Sequence, residues 1–414
     1  MEPLPIRLTV ADDLSRNRLT VAFRLLLALP HLVWLLLWGL AAGVASVVLW
    51  LAILFEGRAP RILHGFVAGY VRYSTHVYAY LFLAADPFPG FAGSSAYPVD
   101  VEIDPPARQG RWGAFFRLVL ALPALVVASA LGGGPGADSS SAWSTGGVVA
   151  VVAFLGWFAS LARARMPAGL RDLGTYAIGY GAQATGYLLL LTDRYPDSRP
   201  VHVSPAPLLP HHAVRLTLRD ELRRDRVVIA FRLLLALPHF AWLSLWSLAA
   251  VLAAVAGWVV TLVRGTLPRP LHRFLAAYVR YAAHVTAFAS LAGGPFPGFV
   301  GRQGSYPVDI EVDGAERQGR WGVLGRLVLG VPSLLVSTAL AGALFAVALL
   351  GWFASLWRGR MPHGLRDLGA TIVRYHAQTH AYLLLVTPRY PYACPVVEGA
   401  APSTEPAALG PAAA

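Results

Sequence analysis

Four stretches of this chain are too long and too apolar to sit comfortably in a water-soluble fold. Residues 25–55, 233–263 and 327–357 contain no Asp, Glu or Arg, and residues 118–162 contain only Asp138. Uncharged runs of this length are candidates for the hydrocarbon layer of a bilayer, and four of them are hard to enclose in one globule. Composition agrees. Apolar residues make up 56% of the chain and charged ones 14%, where soluble domains carry about a quarter.

The 34 basic residues are all Arg, and the net charge is +12. A chain without Lys, with a single Asn (Asn17) and much Ala, Gly, Pro and Leu, points to a high-GC bacterial genome. The arginines flank the apolar runs and form no solvated stripe. Anionic membrane lipids are therefore the expected partners, and nucleic acid is not. Cys394 is the only cysteine, which rules out an internal disulfide and a cysteine metal cluster. The first 18 residues are mixed and polar, so a cleavable signal peptide is not expected.

The apolar runs belong to a repeat. FRLLLALPH occurs at 23–31 and 231–239, YVRY at 70–73 and 278–281, and PFPGF at 87–91 and 295–299. RQGRWG occurs at 108–113 and 317–322, and GWFASL at 156–161 and 351–356. The chain thus reads as two halves, 1–196 and 213–393, joined by a Pro-rich linker at 197–212 and followed by a disordered tail at 394–414. Each half is itself double, giving modules 6–96, 97–196, 213–305 and 306–393. Their shared signature is Arg, five residues, Arg, five residues, Pro: Arg18–Arg24–Pro30, Arg111–Arg117–Pro123, Arg226–Arg232–Pro238 and Arg320–Arg326–Pro332.

Every module opens with strand-like alternation around Ile6–Leu8–Val10, Val99–Val101–Ile103, Val214–Leu216–Leu218 or Val308–Ile310–Val312. Its polar face is basic in the first and third modules (Arg7, Arg215, Arg219). It is acidic in the second and fourth (Asp100, Glu102, Asp104, Asp309, Glu311, Asp313). Opposite charges on facing strands predict a small extramembrane sheet in each half. The apolar run that follows would span about 46 Å as one helix, against a hydrocarbon core of about 30 Å. A helical hairpin is therefore expected, with turns near Gly39–Gly43, Ala249–Ala254 and Ala341–Ala343. In the second module the turn would fall in the Gly- and Ser-rich insertion 132–147. Four hairpins make about eight membrane helices. A third, interfacial amphipathic helix follows each, at 60–85, 168–191, 268–292 and 363–386. Arg at both hairpin ends and none at the turns puts the ends, the strands and both termini in the cytoplasm.

The run YPVDVEIDPPARQGRW at 97–112, followed by RLVLALP and a later R…Y…PFPGF, resembles a bacterial membrane-protein family known as domain of unknown function 4389. Two copies would cover residues 1–196 and 213–393. The resemblance implies an inner-membrane location and brings no activity, substrate or catalytic residue. Gly179, which stands where the third helix of other modules repeats an Arg, and the insertion set the second module apart.

No phosphate-binding glycine loop, HExxH or G-x-S-x-G is present. His376 and His380 share a helix face, yet lack the carboxylate or Cys partners of a metal site. His31 and His239, just after the signature Pro, read as packed residues with a satisfied ring nitrogen. Arg171–Asp172 and Arg366–Asp367 read as helix-end ion pairs. No catalytic residue, metal or cofactor is expected. The functional signal lies in Arg18, Arg24, Arg111, Arg117, Arg226, Arg232, Arg320 and Arg326, which can anchor the chain or bind lipid phosphate. The expectation is a non-enzymatic inner-membrane protein that binds anionic lipid, or scaffolds a partner or a second copy through its cytoplasmic face. A solute transporter and a membrane-shaping hairpin protein are the alternatives.

Overall fold

The computed structural model describes residues 4–93, 96–132, 147–200 and 212–395. The first module is β1 (Ile6–Val10), α1 (Arg18–Glu56) and α2 (Arg61–Leu81). The second is β2 (Val99–Ile103), α3 (Arg111–Phe115), α4 (Arg117–Leu131), α5 (Val148–Arg163) and α6 (Ala168–Leu188). The third is β3 (Val214–Leu218), α7 (Arg226–Ala230), α8 (Arg232–Arg264) and α9 (Arg269–Ala289). The fourth is β4 (Val308–Val312), α10 (Arg320–Leu324), α11 (Arg326–Arg358) and α12 (His363–Leu383).

The long apolar helices α1, α8 and α11 are long and apolar enough to cross a membrane. They turn their apolar side chains outward. In α1 the residues facing the protein include Ala28, Ala42 and Ala45, while Leu25, Leu26, Val33, Leu36, Leu40 and Val44 are exposed. A soluble helix does the reverse.

The expected hairpins are not formed: α1, α8 and α11 each run unbroken through the apolar stretch. Leu, Ala and Val sustain a helix there, and the glycine taken for a turn serves packing instead. A Cβ on Gly39 would stand 3.1 Å from the Tyr70 Oη, so Gly39 lets α2 come close. The second module keeps the same line with a gap in it. Helix α4 closes at Gly132, in the left-handed conformation with φ 83°. Gly147, just before α5, lies against it, since a Cβ there would come 3.0 Å from the Gly132 Cα. Both α4 and α5 pack on α6, as the undivided α11 packs on α12. The insertion therefore leaves and re-enters one helical line, and most of it, like the linker 201–211 and the tail from 396, lies outside the described residues.

The sheets match the charge pattern. β1 pairs antiparallel with β2, Arg7 opposite Glu102, and β3 pairs with β4, Arg215 opposite Glu311. Arg7 also reaches Asp104 at 3.0 Å and Arg215 reaches Asp313 at 3.0 Å. The other face puts Ile6, Leu8, Val99 and Val101 into the core. The helices expected to float at an interface are the core of each half: every residue of α6 from Asp172 to Tyr187 is buried. Two polar side chains of α2, Arg72 and His76, point to the sheet. Arg72 holds Asp100 through two bonds of 2.7 and 2.6 Å, and His76 Nε2 lies 2.8 Å from the same carboxylate. His284 and Asp309 repeat the pair in the second half. The halves meet where α11 packs on α4 and α5. Short arms cross that seam both ways: Ser198 lies against Gly364, and Tyr392 against Gly169.

Burial pushes the Asp100 carboxyl upward. The bonds from Arg72, His76 and the Val101 N–H outweigh it and hold the carboxyl below its ordinary range. Burial pulls His76 below its ordinary 6.5. Both groups bind protons more readily unfolded, so stability present at neutral pH is lost on acidification. The loss begins as pH falls through about 6.5 and continues as Asp100 protonates. His76→Gln, which installs the residue found at this position as Gln183 and Gln378, is expected to reduce the fall in thermal stability between pH 7 and 5. An unchanged slope would remove His76 from that account.

Candidate functional site

The two signature arginines stand six positions apart, a helical rotation of about 240°, so the pair cannot share a face. The first arginine of each pair (Arg18, Arg111, Arg226, Arg320) is exposed, and the second (Arg24, Arg117, Arg232, Arg326) is buried.

The buried arginine closes the end of the short helix. Each of α2, α6, α9 and α12 ends in a left-handed leucine, Leu83, Leu190, Leu291 or Leu385, with φ between 61° and 63°. A side chain in that conformation costs about 1 kcal/mol. The turn returns an N–H to the helix, as from Ala84 to the Ala79 carbonyl at 2.8 Å, and leaves other carbonyls pointing outward. Arg24 donates to two of them, Tyr80 at 2.7 Å and Ala85 at 2.9 Å, and to Asp86 at 2.7 Å. Arg326 donates to Tyr382 at 3.2 Å and Thr387 at 3.0 Å. Arg117 takes Thr192 at 2.9 Å, and Arg232 takes Phe288 and Gly293. Each guanidinium also lies over a ring, that of Tyr80, Tyr187, Phe288 or Tyr382, at 4.1–4.4 Å. The negative end of a helix dipole, open carbonyls and an aromatic face together suit a cation that does not lose its proton.

A companion residue takes the carbonyl of the left-handed leucine. Gln109 donates to Leu190 at 2.7 Å and Gln318 to Leu385 at 2.6 Å. Arg16 and Arg224 do the same for Leu83 and Leu291, each held by the carboxylate four residues before it, Asp12 or Asp220. These companions carried no role in the sequence reading. The signal for two of them was in view, as the Gln of the repeated RQGRWG.

The exposed arginine sits where two long helices meet end to end. Arg18 donates to the Ala162 carbonyl at 3.0 Å, Arg111 to Phe55 at 2.8 Å, Arg226 to Trp357 at 3.2 Å and Arg320 to Val263 at 3.3 Å. In each case the start of one long helical line meets the end of its partner's, so the two lines of each half run antiparallel. Arg residues from the helix ends join them. Arg58 pairs its backbone with Arg108, and Arg223 with Arg360. The result is four arginine corners, two per half. Among the described residues, Arg18, Arg111, Arg226 and Arg320 have no carboxylate at ion-pair distance.

The remaining candidates resolve as structure. His31 Nδ1 lies 2.7 Å from the Tyr73 hydroxyl and His239 Nδ1 lies 2.8 Å from that of Tyr281, while each Nε2 is buried without a partner. The His376 ring meets the Ser337 carbonyl at 3.0 Å, and among the described residues no group of three or more metal-ligating side chains gathers. Arg171–Asp172 and Arg366–Asp367 are both ion pairs of 2.6 Å.

A family model described as "Domain of unknown function (DUF4389)" matches the chain four times, at residues 18–92, 142–198, 226–299 and 320–394. The match falls once per module instead of once per half, so the single module is the family's unit. No curated protein and no solved structure matches.

The two kinds of arginine should differ sharply when removed. Arg326→Met strands the Tyr382 and Thr387 carbonyls in a buried site and is expected to cost about 3 kcal/mol. Arg320→Gln, at an exposed corner, should stay within about 1 kcal/mol. Equilibrium unfolding in mild detergent measures both, and equal losses would contradict the division.

Proposed function

The chain belongs to the DUF4389 family, and from that premise we propose a non-enzymatic membrane protein that binds anionic lipid at its exposed arginine corners. The observation that carries the proposal is the pairing of two surfaces. Long helices turn Leu, Val and Phe outward along their whole length, and exposed arginines lie at their ends. Hydrocarbon suits the first and phosphate the second, because a guanidinium offers several donors in a planar fork. The four buried arginines have another task, so lipid recognition falls to Arg18, Arg111, Arg226 and Arg320 with the helix-end arginines beside them. We place the protein in the bacterial inner membrane, with the termini and the sheets at its cytoplasmic face.

A second reading, membrane shaping, is favoured by helix length. A 33-residue helix is about 50 Å long, well beyond the 30 Å core, and each carries Arg at both ends. Helices held at one leaflet by both ends would act as wedges and tubulate liposomes.

The test of the leading reading is lipid analysis of protein recovered in nanodiscs from an anionic and zwitterionic mixture. Replacing Arg18, Arg111, Arg226 and Arg320 by Gln is expected to cut the enrichment of anionic lipid about fivefold per corner, at about 1 kcal/mol per arginine. Identical lipid profiles for the variant and the wild type would refute it. For orientation, Cys394→Ser combined with Thr9→Cys should give a chain labelled by an impermeant maleimide in inverted vesicles and not in intact cells.

A further inference from the structure

A cavity opens beside one of the corners. A pocket of about 400 Å³ lies between the first turn of α8, the last turn of α9 and the second half of α11. It is lined there by Thr286 and Ala289 of α9 and by Ser290, which caps that helix. The repeat explains the space. Aligned on YVRY, the first half carries Tyr78, Leu81 and Phe82 at these three positions, each larger, and there the rings of Tyr78 and Phe82 stack with centroids 6.0 Å apart. All three positions are thus smaller in the second half.

The chemistry of the pocket is that of a hydrocarbon guest. Its polar atoms are already spent: the Thr286 hydroxyl donates to the Ala282 carbonyl and the Ser290 hydroxyl to the Thr286 carbonyl. At the mouth stand Leu233, 70% exposed, and Phe345, 69% exposed. These belong to the apolar outer surface, so a chain from the lipid phase enters without crossing water. The arginine corner is near. Leu233 lies seven residues along the helical line from Arg226, about 10 Å, and Trp352 of the pocket wall is six residues from Arg358. Arg226 itself lies against the end of α11, its Nε 3.8 Å from where a Cβ on Gly359 would stand. The one carboxylate in this turn, Asp225, accepts the Val227 N–H as a helix cap. A phosphate at the corner and a tail in the pocket are thus spaced as in one phospholipid.

We propose that the second half holds one anionic phospholipid, an acyl chain seated in the pocket lined by Thr286, Ala289 and Ser290 and the phosphate on the Arg226–Arg358 corner. This rests on the reading of the corners as anionic-lipid sites.

The test uses phosphatidylglycerol with a photoactivatable diazirine at the tail end, in phosphatidylethanolamine vesicles containing the full-length protein, with labelled peptides mapped by mass spectrometry. Labelling is expected in 341–352 and should fall at least tenfold in Thr286→Tyr/Ala289→Leu/Ser290→Phe. The converse variant, Tyr78→Thr/Leu81→Ala/Phe82→Ser, should gain labelling in its first half, which keeps the test sound if the filled variant misfolds. Unchanged labelling in the filled variant, or no gain in the converse one, overturns the pocket while leaving the corners intact. Phosphatidylcholine with the same tail is expected to label at least fivefold less. Equal labelling by the two lipids would keep the tail site and overturn the headgroup assignment, and with it the reading of this corner.

Discussion

The end of a short helix, buried and facing a long one, is the weak point of this fold. Its last carbonyls have no partner along the helix, and the apolar surroundings supply no water to satisfy them. Each module meets the difficulty in the same way. A leucine turned into the left-handed conformation exposes the carbonyls, and an arginine near the start of the long helix takes them. The arginine works because it cannot discharge itself by losing a proton, and because its fork spans carbonyls five residues apart in sequence. Long helix, short helix and the loop after it are thus fixed relative to one another by one side chain.

That constraint explains which parts of the architecture were legible. Strand pairing could be read from the charges of Arg7 and Glu102, and the short helices from their spacing, because each follows from local pattern. The hairpins could not. Gly39 and Gly43 look like a turn until Tyr70 is known to need the room beside Gly39, and that is a tertiary fact. The arginines were legible as a repeat and only half legible as chemistry. Their spacing of six already requires two faces, yet nothing local tells which face is covered by Tyr80 or Tyr382. The Gln of RQGRWG was visible and mute for the same reason, since its partner, the Leu190 or Leu385 carbonyl, lies more than sixty residues away.

Four copies of one device do not make four equivalent modules. The first and third fix their sheets through His76–Asp100 and His284–Asp309. The second and fourth carry Gln183 and Gln378 there, and these accept the N–H of the arm that follows, from Asp197 and Tyr392. These glutamines thus hold the arms that cross the seam between halves, and Gln378 also donates to the Val214 carbonyl of β3. Division of labour also reaches the buried arginines. Arg24 has Asp86 beside it, whereas Arg326 relies on neutral Gln318 and backbone carbonyls.

The second half also differs from the first at the end of its first short helix, α9. The clamp at Arg232 is preserved, so Phe288 still lies under its guanidinium, 4.2 Å away. Around it, the larger residues of the first half have become Thr286, Ala289 and Ser290. In a well-packed interior such truncations would cost roughly 2–5 kcal/mol each for a large side chain. At a surface bathed in hydrocarbon the cost is smaller, because lipid can fill what the protein vacates. On the proposal above, a cavity there would exchange a fixed side chain for a lipid tail, without loosening the arginine that holds the helix end beneath it.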